Sequence, residues 1–175
     1  NFYFGRFYNS IDIAPRIDFP LDLPFYIEPS ITYNRWDYYR SLTTFFDDTK
    51  PSYLIKNEAF WGLSLGFPAS NKSKVTFDFK SGLINNEYYQ TDQFLSVDTA
   101  DVTEFFFNNL KASFERNSLD NLYYSKDGSK LKISAGFTQG TETNRSGSTS
   151  IFTPDSLSRF NHNWFKASFE YEQYF

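Results

Sequence analysis

The sequence predicts an all-β protein, an antiparallel up-and-down transmembrane β-barrel. Three observations predict this fold: apolar and polar residues alternate with period two in several segments, the connections between those segments alternate between shorter and longer, and aromatic residues gather near the segment ends. Period-two alternation gives a strand one apolar and one polar face. Alternating short turns and long loops are typical of membrane barrels, and interfacial aromatic residues are typical of membrane proteins.

The composition agrees with this prediction. Aromatic residues make up 22% of the 175 residues, yet the mean hydropathy is -0.53, as expected when apolar residues occupy every second position. No stretch has the ~18–20 uninterrupted apolar residues of a membrane helix. The net charge of -4 and the lack of a basic stripe exclude nucleic acid as a partner.

Two residue types are missing from the chain. Without cysteine there are no disulfides and no thiolate metal sites. Without methionine the chain is expected to be a mature product or a fragment of a longer one. Residues 1–175 are predicted to form a single β-barrel domain or a segment of a larger barrel.

The clearest predicted hairpin runs from Phe60 to Phe79, with a turn at residues 68–73. Its predicted apolar face consists of Trp61, Leu63, Leu65, Phe67, Val75, Phe77 and Phe79. An earlier hairpin is predicted at residues 11–34, with gaps in the pairing at Pro15 and Pro29 because proline lacks a backbone donor. Later strands are predicted near residues 105–115, 131–138 and 165–172, which gives about seven or eight strands of about 10–15 residues.

The opposite face of these strands carries charge. Its predicted members are Glu28, Glu58, Asp78, Lys80, Lys111, Lys132, Lys166, Glu170 and Glu172. In a membrane barrel this face would line a hydrated lumen, where acids and bases can pair. The predicted interfacial aromatic residues are Tyr33, Trp36, Tyr38, Tyr53, Trp61, Phe67, Tyr88, Tyr89 and Trp164.

Two stretches invite a catalytic interpretation. Gly62-Leu63-Ser64-Leu65-Gly66 matches the G-x-S-x-G pattern of serine hydrolases, but that motif requires a sharp strand-to-helix turn, and no helical pattern follows here. Asp127-Gly128 is predicted to be a turn. His162, the single histidine, is predicted to be a surface or interfacial residue.

Acidic residues in the connections suggest calcium binding at first sight. Asp47, Asp48, Asp98, Asp101 and Glu104 lack the spacing of a calcium loop, so they are predicted to be solvated loop acids. The sequence therefore predicts no catalytic residue, no cofactor-binding residue, no metal ligand and no cofactor.

Four stretches of the chain resemble a known family, the C-terminal barrel of bacterial patatin-like phospholipases. The four stretches are Asn34-Arg35-Trp36-Asp37-Tyr38-Tyr39, Lys50-Pro51-Ser52-Tyr53-Leu54-Ile55, Tyr88-Tyr89-Gln90-Thr91-Asp92 and Glu115-Arg116-Asn117-Ser118-Leu119-Asp120. The family barrel is similar to those of the outer-membrane assembly and two-partner-secretion superfamily. The resemblance implies that this chain is about half of a barrel of roughly sixteen strands.

The resemblance also implies a function. The chain would anchor or export an attached lipase domain in the bacterial outer membrane and would itself be non-catalytic, since the lipase nucleophile lies upstream in the family. Its partners would be outer-membrane lipid and the upstream lipase and POTRA-like domains, and a homodimer or a membrane-protein complex stays open. Two alternatives also stay open: a soluble β-sandwich or lipocalin-like binding module, and an independent hydrolase that uses Ser64.

Overall fold

The structure is a computed structural model that describes residues 1–37, 53–91, 95, 97–121 and 125–174, without the side chains of Tyr53 and Leu54. Nine β-strands occur among these residues. They are β1 (Phe2–Phe4), β2 (Tyr8–Ile13), β3 (Ile17–Phe19), β4 (Phe25–Asp37), β5 (Tyr53–Ser70), β6 (Ser73–Tyr88), β7 (Asp101–Asn117), β8 (Gly128–Arg145) and β9 (Leu157–Tyr174). The described part of the chain has no helix long and apolar enough to cross a membrane.

All nine strands belong to one antiparallel sheet. Its order is β1-β2-β4-β5-β6-β7-β8-β9, with β3 also paired to β4. Apart from β2 and β3, which both pair with β4, strands that follow one another in the chain are neighbours in the sheet. This order confirms the prediction of an all-β, antiparallel, up-and-down arrangement. Strands β1 and β9 are the two edges, and no pairing joins them within the described residues.

The predicted central hairpin is present, with a tighter turn than expected. Strands β5 and β6 pair over almost their whole lengths, and Leu63 lies opposite Phe79. Only Asn71 and Lys72 lie between the strands, and a register shift occurs between Pro68 and Ser70. The predicted turn at residues 68–73 is therefore wrong in its extent, because three of those residues extend β5 and Ser73 begins β6.

The two prolines of the first hairpin share one gap in the sheet. Strand β4 pairs with β2 up to Ile13–Ile31 and with β3 from Ile17–Ile27, so Pro15 lies opposite Pro29 between the two paired stretches. The predicted gap at Pro15 is confirmed. The predicted gap at Pro29 is confirmed on this side of β4, whereas the other side pairs with β5 without a break. A residue of an antiparallel pair directs its backbone groups toward one neighbour only, so a single gap accommodates both prolines.

The connections fall at two ends of the sheet. At one end lie residues 20–24, 71–72, 118–121 and 125–127, and at the other lie residues 5–7, 89–91, 95, 97–100 and 146–156. The connection between β4 and β5, residues 38–52, lies outside the described residues. We call the end with residues 20–24 and 71–72 the short-turn end, and the end with residues 146–156 the long-loop end.

Candidate functional site

One face of the sheet is apolar and uncovered. No hydrophobic side chain is buried among the described residues, whereas Trp61, Leu110 and Phe165 are 53%, 60% and 69% exposed. The register places all the predicted apolar residues of β5 and β6 on this one face. In the described part of the chain no second sheet packs against them, since all strands belong to a single sheet.

The apolar face is built in rows that cross the strands. One row consists of Leu63, Phe79, Leu110, Phe137 and Phe165, and the next toward the short-turn end consists of Leu65, Phe77, Ala112, Ala135 and Ala167. The small alanines leave a groove of about 510 Å³ beside the bulky row. The groove is lined mainly by carbon atoms, so it suits an apolar ligand or covering layer.

A polar row interrupts this face near the long-loop end. It consists of Ser81, Asn108, Gln139 and Asn163. Apolar residues resume beyond the row with Leu83 and Phe106. The sequence analysis did not predict this row, because each strand contributes one polar residue, and only the register aligns them.

The other face carries the predicted charged residues, and part of them are paired. Lys130 contacts Glu170 at 2.8 Å and Glu172 at 3.7 Å, and Lys56 contacts Glu58 at 3.0 Å. The pairing predicted between acids and bases is thus present for these three glutamates. For Lys111, Lys132 and Lys166 no carboxylate lies within 4.0 Å among the described residues.

Several aromatic residues also lie on the polar face. Trp36 stacks on Tyr8 with ring centroids 4.9 Å apart, and Trp164 stacks on Phe105 at 5.9 Å. Of the three tryptophans, only Trp61 projects from the apolar face. The predicted interfacial set is therefore divided between the two faces, while Tyr38 and the side chain of Tyr53 lie outside the described residues.

The structure does not assemble the residues considered for hydrolysis. The Ser64 hydroxyl donates a hydrogen bond of 2.6 Å to Asp78 Oδ1 on the neighbouring strand. His162 lies on β9, with β6, β7 and β8 between it and the strand of Ser64, and its Nε2 is 2.9 Å from Glu142 Oε2. Gly128 has a φ of 106° at the end of the turn, which agrees with the turn prediction for Asp127-Gly128.

The prediction of solvated loop acids is wrong for Asp101, which begins β7 and is 3% exposed, and Glu104 also lies within β7 rather than in a loop. Asp98 and Asp101 bind the connection between β8 and β9. Asp101 accepts a 2.6 Å hydrogen bond from the Gly147 N–H, and Asp98 accepts one of 3.0 Å from the Ser148 hydroxyl. Glu104 projects from the other face of β7. No group of three or more histidine or acidic residues suited to a metal occurs among the described residues, and Asp47 and Asp48 fall outside them.

Comparisons with protein-family models, with curated proteins and with solved structures find no match to this chain. Its class is therefore defined by the fold and the two faces alone. The chain is an antiparallel, up-and-down β-sheet protein with one exposed apolar face and one polar, charged face.

Proposed function

We propose that this chain is an outer-membrane β-barrel domain, or a segment of a larger barrel, whose apolar face contacts lipid acyl chains. The observation that supports it is the uncovered apolar face together with the absence of buried hydrophobic side chains among the described residues. Monomeric soluble proteins rarely expose contiguous apolar patches above a few hundred Å². In contact with acyl chains, the same face would avoid the free-energy cost of exposing apolar surface to water.

The open edges of the sheet support the same proposal. Only a closed barrel satisfies every strand donor and acceptor inside a bilayer. Strand β9 has 18 residues and is an edge, so a membrane location requires a further strand beside it. In the proposed barrel, that strand belongs to the remaining part of a barrel of roughly sixteen strands.

The polar face would line the lumen of this barrel. Removing charged groups from water has a large free-energy cost. In a hydrated lumen, ion pairs such as Lys130–Glu170 would keep their contact with water and avoid this cost. The barrel would anchor or export an attached patatin-like lipase and would have no catalytic role itself. This part of the proposal rests on the resemblance of the four sequence stretches given above, and its partners are the lipase and POTRA-like domains and outer-membrane lipid.

The main alternative is a soluble sandwich or lipocalin-like module. It requires a second layer over the apolar face, and no such layer occurs among the described residues. A hydrolase that uses Ser64 requires an exposed serine at a sharp strand-to-helix turn. Ser64 instead lies inside β5, which pairs with β4 on one side and with β6 on the other, although the Asp78 carboxylate accepts a hydrogen bond from its hydroxyl. Absence of labelling by a fluorophosphonate probe would remove that third possibility.

Tryptophan quenching by brominated acyl chains tests the membrane proposal. Trp61 lies on the apolar face and Trp164 on the polar face. Two variants that each keep one of these tryptophans are reconstituted into vesicles whose acyl chains carry bromine. Fluorescence of the Trp61 variant should be strongly quenched, and that of the Trp164 variant should change little.

The same variants provide the contrary outcomes. Equal quenching of Trp61 and Trp164 would mean that the two faces do not separate lipid from water. A chain that remains monomeric in buffer without detergent, with Trp61 unaffected by vesicles, would support the soluble module.

A further inference from the structure

The polar face has an open depression at Gly136. At the other glycines inside β5, β6 and β8 on this face, a neighbouring side chain occupies the space where a Cβ would lie: Ser30 at Gly62, Tyr26 at Gly66, Phe60 at Gly82 and Phe105 at Gly140. Those glycines are buried, whereas Gly136 is only half-buried. An added Cβ at Gly136 would have no atom nearer than the Leu110 carbonyl oxygen at 3.3 Å. The space above this glycine is therefore not filled by a side chain of the described residues.

Two lysines flank the depression. Gly136 pairs with Lys111 on β7 and with Lys166 on β9, so the Cα atoms of the two lysines lie two strand spacings apart, roughly 9–10 Å. Lys111 Cβ and Cγ lie 3.5 and 3.7 Å from the point where Gly136 would carry a Cβ. The stem of Lys111 thus lines the depression, and both ammonium groups can reach a ligand seated over Gly136.

The carboxylates of neighbouring residues in the sheet are bound elsewhere. Asp78 pairs with Lys111 across β6 and β7, but its Oδ1 accepts the 2.6 Å hydrogen bond from Ser64 on its other side. Glu170 on β9 contacts Lys130 at 2.8 Å. Among the described residues, no carboxylate therefore lies within 4.0 Å of Lys111 or Lys166. A bound anion would supply the missing counter-charge.

Hydroxyl groups bound the depression along β8. Ser134 and Thr138, the next residues of β8 on this face, are 9% and 6% exposed. Thr138 Oγ1 accepts a 2.7 Å hydrogen bond from Asn109 Nδ2, which leaves its own proton for another acceptor. The Ser134 and Ser168 hydroxyls are 2.6 Å apart, so their contact uses one of their two protons. Ammonium groups and hydroxyl donors together suit an acceptor-rich anion such as phosphate.

We propose that Lys111, Lys166 and the depression at Gly136, together the Gly136 site, bind a divalent oxyanion of the phosphate class. The two ammonium groups match its two negative charges, the hydroxyl groups donate hydrogen bonds, and the bare glycine leaves the space that the anion needs. The proposal does not depend on the membrane assignment, because the site lies on the face opposite the apolar one.

Fluorescence titration of a variant that keeps only Trp164 tests this proposal, since Trp164 pairs with Thr138 beside the site. The full chain in a non-ionic detergent is titrated with glycerol 3-phosphate at about pH 8, where a phosphate monoester is divalent. Chloride keeps the ionic strength constant, because salt screens exposed charges. The phosphate should give a saturable change in the millimolar range, and glycerol should give none. Inorganic phosphate in the same assay distinguishes free phosphate from a phosphate ester as the source of the anion.

Three substitutions make the test specific. Lys111→Gln and Lys166→Gln should each weaken phosphate binding by about tenfold or more, because each removes a charged hydrogen-bond donor. Gly136→Val keeps both lysines but fills the depression, so it should also weaken binding. Lys132→Gln is the matched control, since it removes the same charge from the same face of β8, four residues from Gly136.

The contrary outcomes are equally defined. The proposal is overturned if glycerol 3-phosphate gives no saturable change or if glycerol binds as well. It is also overturned if Lys132→Gln weakens binding as much as Lys111→Gln, which would indicate a general effect of surface charge, or if folded Gly136→Val keeps the affinity of the parent variant.

Discussion

Replacing Leu110 by arginine should destabilise the protein in a bilayer, and the expected size follows from its depth. Apolar side chains of β7 run from Phe106 to Phe114, with Leu110 in the middle. Four residues to either end correspond to about 14 Å along the strand and about 10 Å along the membrane normal at a strand tilt of about 40°. In the proposed barrel Leu110 would thus lie near the bilayer midplane, where a lipid-facing arginine costs about 2–4 kcal/mol.

The neighbouring residue provides the matched control. Asn109 projects from the polar face, where its amide donates hydrogen bonds of 2.7 Å to the Thr138 hydroxyl and 3.4 Å to the Phe137 carbonyl, so Asn109→Arg loses these two contacts without placing charge on the apolar face. Phe114→Arg, at the edge of the band, should cost less than Leu110→Arg because the penalty falls to about 0–1 kcal/mol near the interface.

Denaturant unfolding of the protein reconstituted in lipid vesicles, followed by tryptophan fluorescence, measures these differences. In water an exposed Leu110→Arg change would stay within about 0.5 kcal/mol. The reasoning is refuted if Leu110→Arg is no more destabilising than Phe114→Arg, or if the three variants unfold at the same denaturant concentration in vesicles.

Three further predictions concern the connections. Gly128→Ala should lower the free energy of unfolding by about 1–3 kcal/mol, because the φ of Gly128 is 106° and the added Cβ would overlap backbone atoms of Ser118 and Leu119. Gly136→Ala is the control, since its added Cβ would lie 3.3 Å from the nearest atom. Equal denaturation midpoints of the two variants would contradict the turn geometry. The pKa of Asp120 is lowered by hydrogen bonds from backbone N–H groups of its turn, so the stability that Asp120 contributes should be present above the ordinary aspartate pKa and be lost as pH falls through the lowered value. Asp120→Asn should therefore flatten the curve of unfolding free energy against pH over that range. An unchanged curve would argue against these hydrogen bonds. Asp101, which is 3% exposed, accepts a hydrogen bond from the buried Gly147 N–H, so Asp101→Ala leaves this donor unpaired at a cost of about 1–3 kcal/mol. Amide hydrogen exchange in the connection between β8 and β9 should therefore accelerate. An exchange rate equal to that of the parent protein would show that this connection does not depend on Asp101.

Sequence reasoning predicted the faces of the strands well because side-chain direction in a strand is a local property. Successive residues point to opposite sides, so the alternation around Trp61 and Phe77 assigns them to one face without knowledge of their neighbours. The same local reasoning could not predict on which side of β4 the gap at Pro29 would lie. The side on which the gap lies depends on which neighbouring strand the backbone groups of Pro29 face, and that is a property of the sheet.

The row of Phe105, Glu142 and Phe160 shows the same limit on the polar face. Phe105, Glu142 and Phe160 belong to three different strands, and no spacing in the sequence links them. Hydrogen-bond register brings them into one row. Trp164 was for this reason interpreted only as a member of the interfacial set, and Phe160 on the same face of β9 was not singled out.

The sequence by itself determined that the chain forms antiparallel strands with one apolar and one charged face, joined by connections at alternate ends. Only the tertiary structure decided which residues meet across strands, namely those of the alanine groove, the polar row that includes Asn108, the shared proline gap and the row that includes Glu142. The physical reason is that the period of two is set within each strand, whereas register is set by pairing between strands that are distant in the chain.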